Sequence, residues 1–546
     1  MKKNKETIFL IIAILGLILF GTALAPIGLQ NDTFYTIAIG QYIMENGISE
    51  YDPFSWHEAL PYTFPHWLYD VTIGAIYNVG GMFGIYLSTV GLTVALGIVW
   101  FLVNCKLHKN KLTSFILAMA LIYLMSPYIA ARAQLFTFIL FILEIYFIEM
   151  FLQDKKKRYA IGLIIIPIIL ANVHLAVFPF YFVLYLPYVG EYVMAIIARL
   201  PNYIRKWRIH RIDKKLRKGK LSEEQKTKIE NKAEILQNKM ILSDEQRERR
   251  KQKAYKLIVE KNDNVKWLIL IMVICLFTGL LTPLGDTPYT YLTKTLDGNT
   301  TKFINEHLPI VIMESKPQLC MIVLILTILI FTDMKIRLKD LFMLGGLLLL
   351  ALMSRRQMSM FVMIGLIILN GLIVALANKY DKGGSEKFIQ SMQKPIGILA
   401  TLLVVLIISG YFIKDKANDK FISYASYPVE ACNYIVENLN TENMKIYNEY
   451  NYGSYLIYRG IPVFIDSRAD LYTPEFDEEQ KRDIFSDFLN INGLSKDYET
   501  AFEGYGITHI LIPTGATMNK FLSKDENYKE LYSDNYFVLY ERLSVE

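Results

Sequence analysis

Long apolar runs joined by short charged connections dominate the chain. Runs of roughly 17–25 apolar residues can cross a bilayer as helices. Eleven segments have that character, near 7–28, 82–104, 112–127, 131–152, 159–176, 178–198, 267–284, 319–333, 339–354, 357–377 and 394–413. The first run, Ile8 to Ala25, is longer than the apolar core of a cleavable secretion signal and reads as a retained membrane helix. Three polar regions interrupt the pattern: 29–81, 199–266 and everything after about 414. In the first, Phe34, Ile37, Ile39, Tyr42 and Ile43 fall at mostly helical spacing, which predicts an amphipathic helix over 32–46 lying along the membrane surface. EYDPFSW then reads as a turn set by Pro53, and PHWLYDVTIGAIYNVGG as a second surface helix ending at Gly80 and Gly81.

The second polar region predicts a helical hairpin broken near Gly219 or Ser243. In the third, strand-like KIYNEY (445–450), PVFID (462–466), THILIPT (508–514) and YFVLYER (536–542) alternate with helical YPVEACNYIVENL (427–439) and DEEQKRDIFSDFL (477–489). That alternation predicts an α/β domain of about 130 residues, enough for a core of its own. The expected fold class is a polytopic α-helical membrane protein of about eleven spans, with a membrane module over 1–413 and an extracytoplasmic α/β domain over 414–546.

Composition agrees: 53% of the 546 residues are hydrophobic and mean hydropathy is +0.28, too apolar for an ordinary soluble enzyme. Charge orients the chain. KLHKNK, QDKKKR, 199–266, DMKIRLKD and NKYDKGGSEK are basic or lysine-rich and fall on one side, which the positive-inside rule makes cytoplasmic. The N-terminus is then cytoplasmic, and 29–81, 285–318 and the C-terminal domain face outward at the plasma membrane. Residues 199–266 hold 22 Lys and Arg against 10 Asp and Glu, a net +12 suited to anionic lipid headgroups. No aromatic platform or base-reading motif accompanies that charge, so nucleic acid is not an expected partner. The last region has the opposite balance, 13 against 23 from Lys414 onward. The four cysteines show no paired spacing, and neither a disulfide framework nor a zinc site is implied.

Candidate chemistry gathers in the outward segments. From Asn31 to Glu58 the chain carries five acids and no base. Asp32, just outside the first span, is a candidate general base, and equally a residue bonding free amides at a helix start. Asp52 is a second catalytic candidate or an ordinary Asp-Pro turn opening. Arg132, in YIAARAQLF, and Arg355 and Arg356, in MSRRQMS, stand at outward helix ends against the orientation rule. Guanidinium groups there suit a phosphate, which they bind in bidentate fashion; the plainer role is snorkelling to headgroups. His57, Glu58 and His66 are candidate substrate contacts; together they are also a conceivable divalent-metal set, although hydrogen-bonded structural histidines are the preferred reading, and no cofactor is expected. Asn172 and His174, in ILANVHLAVF, line a cavity or join helices. Asp466, Arg468 and Asp470, in FIDSRADLY, follow a strand-like run where α/β sheets place binding residues, or form a salt bridge fixing that loop. Tyr447, Tyr450, Tyr452, Tyr455 and Tyr458 suit sugar stacking or packing alike.

The order of one span, an acidic first outward loop with two surface helices, many further spans and an outward α/β domain resembles GT-C membrane glycosyltransferases. NDTFYTIAIGQYIMENG, DPFSW, PHWLYD, ARAQLFTF, ANVHL, LLTPLG, SRRQM and YNEYNYGSYLIYRGIPVFIDSRADLY resemble bacterial relatives of the protein O-mannosyltransferase and lipid A aminoarabinose-transferase group. The resemblance implies a polyprenyl-phosphate-linked sugar as donor, an inverting transfer to an envelope glycan, lipid or protein, and the first-loop acid, here Asp32, as base. Where that group often carries Asp-Glu, this chain has Asp32-Thr33. A lipid or glycan transporter or flippase, or a non-catalytic membrane scaffold with a binding outer domain, are the alternative functions.

Overall fold

The computed structural model describes residues 2–543 apart from 218, 220, 221, 253–255, 299, 312, 382, 478, 480 and 481. Among the described residues, seven helical segments are long and apolar enough to cross a membrane: Thr7–Leu24, Trp67–His108, Lys111–Tyr128, Ala133–Asp154, Leu175–Ile197, Arg355–Tyr380 and Pro395–Lys416. The other four of the eleven expected segments are shorter helices, Lys157–Val173, Val265–Leu276, Lys316–Phe331 and Leu338–Met353. The protein is therefore a polytopic helical membrane protein, with seven candidate spans by length and composition among the described residues.

Helices α1 (Lys2–Leu24), α2 (Asn31–Asn46) and α3 (Trp67–His108) open the chain. The surface helix ends at Gly80 and Gly81 as expected. Within α3, Gly81 adopts φ 57°, ψ −150°, a non-helical conformation that a residue lacking Cβ takes readily, and a second helical stretch follows this kink and runs on to His108. Around α3 a large apolar core joins the bundle, with Trp100 at its centre donating to the Met363 carbonyl at 3.0 Å. Asn370 donates to Asn104 and Ser114, both at 3.1 Å, a polar brace between helices in an apolar surrounding. The hairpin of the basic region is α-helical on both sides, Leu200–Leu216 and Glu223–Gln252. It breaks at the Gly219 turn, where φ is 69°, while Ser243 lies inside the second helix.

The C-terminal region carries four strands, β1 (Ile446–Tyr447), β2 (His509–Pro513), β3 (Tyr528–Ser533) and β4 (Phe537–Arg542), in the order β1-β2-β4-β3. β1 runs parallel to β2, and the other two pairings are antiparallel. PVFID is not a sheet strand; Val463 instead makes a single parallel bridge with Ser55 of the first loop. YKELYS, too polar to read as a strand, forms the edge strand β3. NYGSYLIY folds as a helix (Tyr450–Tyr458), so its tyrosines do not form a sheet face. Their role is packing: Phe34 of α2 stands edge-on to Tyr427 and Tyr455, with ring centroids 4.9 and 5.0 Å away. The first loop and the C-terminal region thus share apolar cores, which seat α2 against both the bundle and the sheet. On the bundle side α2 crosses α3 where both carry glycine: a Cβ on Gly40 would lie 2.0 Å from the Asp70 carbonyl oxygen.

Candidate active site

Asp32 lies in the first turn of α2. It does not cap the helix; the N-cap is Gln30, without a side-chain bond, and the Asp32 carboxylate reaches Arg132 at 2.7 Å. Arg132 is the extended residue that precedes the helix Ala133–Asp154 and holds a second carboxylate, Glu306, at 2.8 Å. One guanidinium therefore joins acids that lie far apart in sequence. Burial opposes its charge, but Asp32 and Glu306 outweigh that and hold the Arg132 pKa above the ordinary value. Burial likewise pushes Glu306 upward, and the charges of Arg132 and Arg356 prevail, leaving its carboxyl below the usual range.

Glu306 is placed by backbone pairing. The 306–309 stretch lies along the 354–356 turn: Arg356 N–H donates to the Glu306 carbonyl and Arg355 N–H to the Leu308 carbonyl, each at 3.0 Å. The Arg355 side chain donates to the Pro309 carbonyl at 3.2 Å and pairs with Glu314 at 3.2 Å. The Arg356 guanidinium makes no hydrogen bond or ion pair among the described residues. Arg132, Arg355 and Arg356 line one cavity of about 200 Å³, together with Gln30, Tyr128, Gln134, Asn305 and Glu306.

Imidazoles surround this cluster. His66 and His174 pack as tilted rings with centroids 5.0 Å apart, and His174 Nδ1 shares a 3.0 Å hydrogen bond with Thr137. Burial, reinforced by Arg356 and Arg132, pushes His66 down to about 3, so the ring is neutral at ordinary pH. Burial and Arg356 likewise lower His307. Neutral rings beside fixed guanidinium groups leave the positive charge on the arginines.

The remaining candidates stand elsewhere. Asp52, Asp466 and Arg468 form a buried network: Arg468 donates to Asp52 at 2.5 Å and to Asp466 through Nε and Nη2 at 2.9 and 2.7 Å. The other Asp52 oxygen accepts from Phe54 and Ser55 N–H, closing the Asp-Pro turn. His57 is buried between Trp56 and Phe464 and bonds to the Phe464 carbonyl at 2.9 Å, while neighbouring Glu58 is exposed. Asn172 donates to the Ile168 and Leu281 carbonyls and braces a helix end. Asp470 accepts from Tyr291, Thr295 and Thr300. Among the described residues, no group of three or more His, Cys, Asp or Glu is arranged to hold a metal ion. Glu306 and His307 were not singled out from the sequence. The Asn-Glu-His run shares its loop with Asp286, Asp297 and Glu314, so nothing local marked Glu306 out, and only its partner Arg132 gives it meaning.

No protein-family model and no curated protein matches this chain by sequence. Among solved structures it is similar to the archaeal oligosaccharyltransferase AglB from Archaeoglobus fulgidus, determined in complex with an inhibitory peptide and a dolichol-phosphate. The TM-score is 0.55 at 10% identity, over 96% of this chain and 71% of that one. A likeness at that identity shows a shared fold alone.

Proposed function

We propose that the protein is a membrane glycosyltransferase that moves a sugar from a polyprenyl-phosphate-linked donor to an acceptor on the outward face of the plasma membrane. The observation that carries this reading is the cavity holding Arg132, Arg355 and an unpaired Arg356 beside the Asp32 carboxylate, on a fold shared with AglB. The AglB structure holds a dolichol-phosphate, a ligand of the donor class proposed here. Arg356, with Arg355, binds the donor phosphate. The acceptor's nucleophilic atom attacks the anomeric carbon from the opposite face, the bond from that carbon to the phosphate oxygen breaks, and the acceptor proton passes to Asp32. The departing phosphate takes the electron pair, and its charge is met by the guanidinium groups, so no covalent enzyme intermediate is required. In the resting arrangement Arg132 engages Asp32, and the arriving phosphate competes for that guanidinium, which frees the carboxylate to act as base.

In this reading α2, Arg132 and the C-terminal α/β domain face outward, and the basic hairpin lies against the anionic cytoplasmic leaflet. Asp32→Asn, purified and folded, should lose transfer from labelled polyprenyl-phosphate sugars; near-native turnover would remove Asp32 as the base. One observation favours translocation as a second reading. Glu144 is fully buried within a span, and neither carboxyl oxygen has a hydrogen bond among the described residues. Movement of the labelled lipid across the bilayer without transfer would select it.

A further inference from the structure

We propose that Asp470 is a positioning residue for the cavity, acting through the 287–306 loop on Glu306. The inference rests on the reading that the Arg132 cluster is the reacting site. One Asp470 oxygen accepts from the Tyr291 hydroxyl at 2.9 Å and from Thr295 at 3.1 Å; the other accepts from Thr300 at 3.4 Å. Tyr291 and Thr295 stand one turn apart on the helix Thr287–Asp297, so a single carboxylate grips one face of it. The residues after Asp470 extend the grip: the Tyr291 ring packs on Phe476 at 5.2 Å, and Gly298 runs so close to Glu475 that a Cβ there would lie 3.3 Å from its carboxylate. From Thr300 the chain turns through Thr300–Phe303 and the Ile304 and His307 backbone bonds to present Glu306 to Arg132.

The same short loop grips the first loop as well, through Arg468 and Asp52. Two residues apart, Arg468 and Asp470 hold the two loops whose carboxylates, Asp32 and Glu306, share Arg132. The C-terminal region therefore sets the spacing of the cluster without touching the cavity.

Hydrogen–deuterium exchange on the full chain in nanodiscs tests this with Asp470→Ala, Asp470→Asn and the double variant Tyr291→Phe/Thr295→Val. Loss of the grip should speed exchange in 287–307 by about tenfold, the equivalent of one hydrogen bond, in Asp470→Ala and in the double variant. Asp470→Asn should stay close to wild type, since its carbonyl accepts as before and its amide donates to the Thr300 hydroxyl. The double variant decides the matter if Asp470→Ala fails to fold. Unchanged exchange in the double variant, or an Asp470→Asn as loose as the alanine, overturns the proposal. Binding of farnesyl phosphate is measured on the same samples. Its absence from the wild-type chain overturns the donor reading, and exchange still decides the role of Asp470.

Discussion

Replacing Arg356 with Gln removes the charge of the cavity guanidinium that has no ion pair among the described residues. The three guanidinium groups differ in what they are paired with: Arg132 meets carboxylates at 2.7 and 2.8 Å, Arg355 meets Glu314 at 3.2 Å, and Arg356, whose charge acts on Glu306 from farther off, makes no ion pair among the described residues. An arriving phosphate must displace a carboxylate from the first two but not from the third. At about 4 Å and an effective dielectric near 20, the raw attraction is about 4 kcal/mol. Desolvation and side-chain ordering reduce a charge-assisted hydrogen bond to roughly 1.5–3 kcal/mol net. Arg356→Gln should therefore weaken farnesyl phosphate binding by about 10- to 150-fold. Arg356→Lys keeps the charge but not the planar fork and should lose roughly fivefold, and Arg355→Gln, whose guanidinium is already paired, a similarly small factor. Calorimetry on the full chain in nanodiscs at two salt concentrations measures all three; the wild-type affinity should fall with salt more steeply than that of Arg356→Gln. An Arg356→Gln affinity within twofold of wild type, with Arg355→Gln weaker by tenfold, would refute the reasoning that pairing decides which cation is free.

Arg468→Met should lower thermal stability in a fluorescence melt by roughly 10 °C, because it leaves the buried Asp52 and Asp466 carboxylates facing each other, a cost of about 3–5 kcal/mol; adding Asp52→Asn should restore part of the loss. His57, held at about 4 by burial, stays neutral in the folded protein while the unfolded chain takes up a proton below its ordinary 6.5. Stability should accordingly be level above about pH 7 and fall as pH drops from 6.5 toward 4, by up to about 3 kcal/mol, and His57→Gln should flatten that slope in melts run across this range. Gly40→Ala should cost about 3 kcal/mol or more, since its methyl would meet the Asp70 backbone carbonyl at 2.0 Å and no flexible side chain can yield; a folded variant melting within a degree or two of wild type would contradict the α2–α3 crossing.

Helical segments were legible wherever an apolar run or a clear period was long. The 31–46 helix shows its period in Phe34, Ile37 and Ile39, and the hairpin shows its break in Gly219. Legibility failed where a local preference met a tertiary demand. KIYNEY keeps only the short strand Ile446–Tyr447, because from Tyr450 the chain turns into a helix whose Tyr452 and Tyr455 fill the space between α2 and the sheet. PVFID loses its place in the sheet to a bridge with Ser55, more than 400 residues earlier in the chain.

The amino-acid order alone determined a membrane protein of many helices, the regions left polar, and which charges stand at helix ends, because those depend on runs and periods a few residues long. Which charges meet was decided only by the tertiary structure. Asp32 with Arg132 and Glu306, or Asp52 with Arg468, are pairs separated by roughly 100 to 400 residues, and Coulomb attraction reaches only a few ångströms with useful strength. Until the bundle and the C-terminal region close around α2, nothing local distinguishes a carboxylate beside a cavity from one buried in a salt bridge.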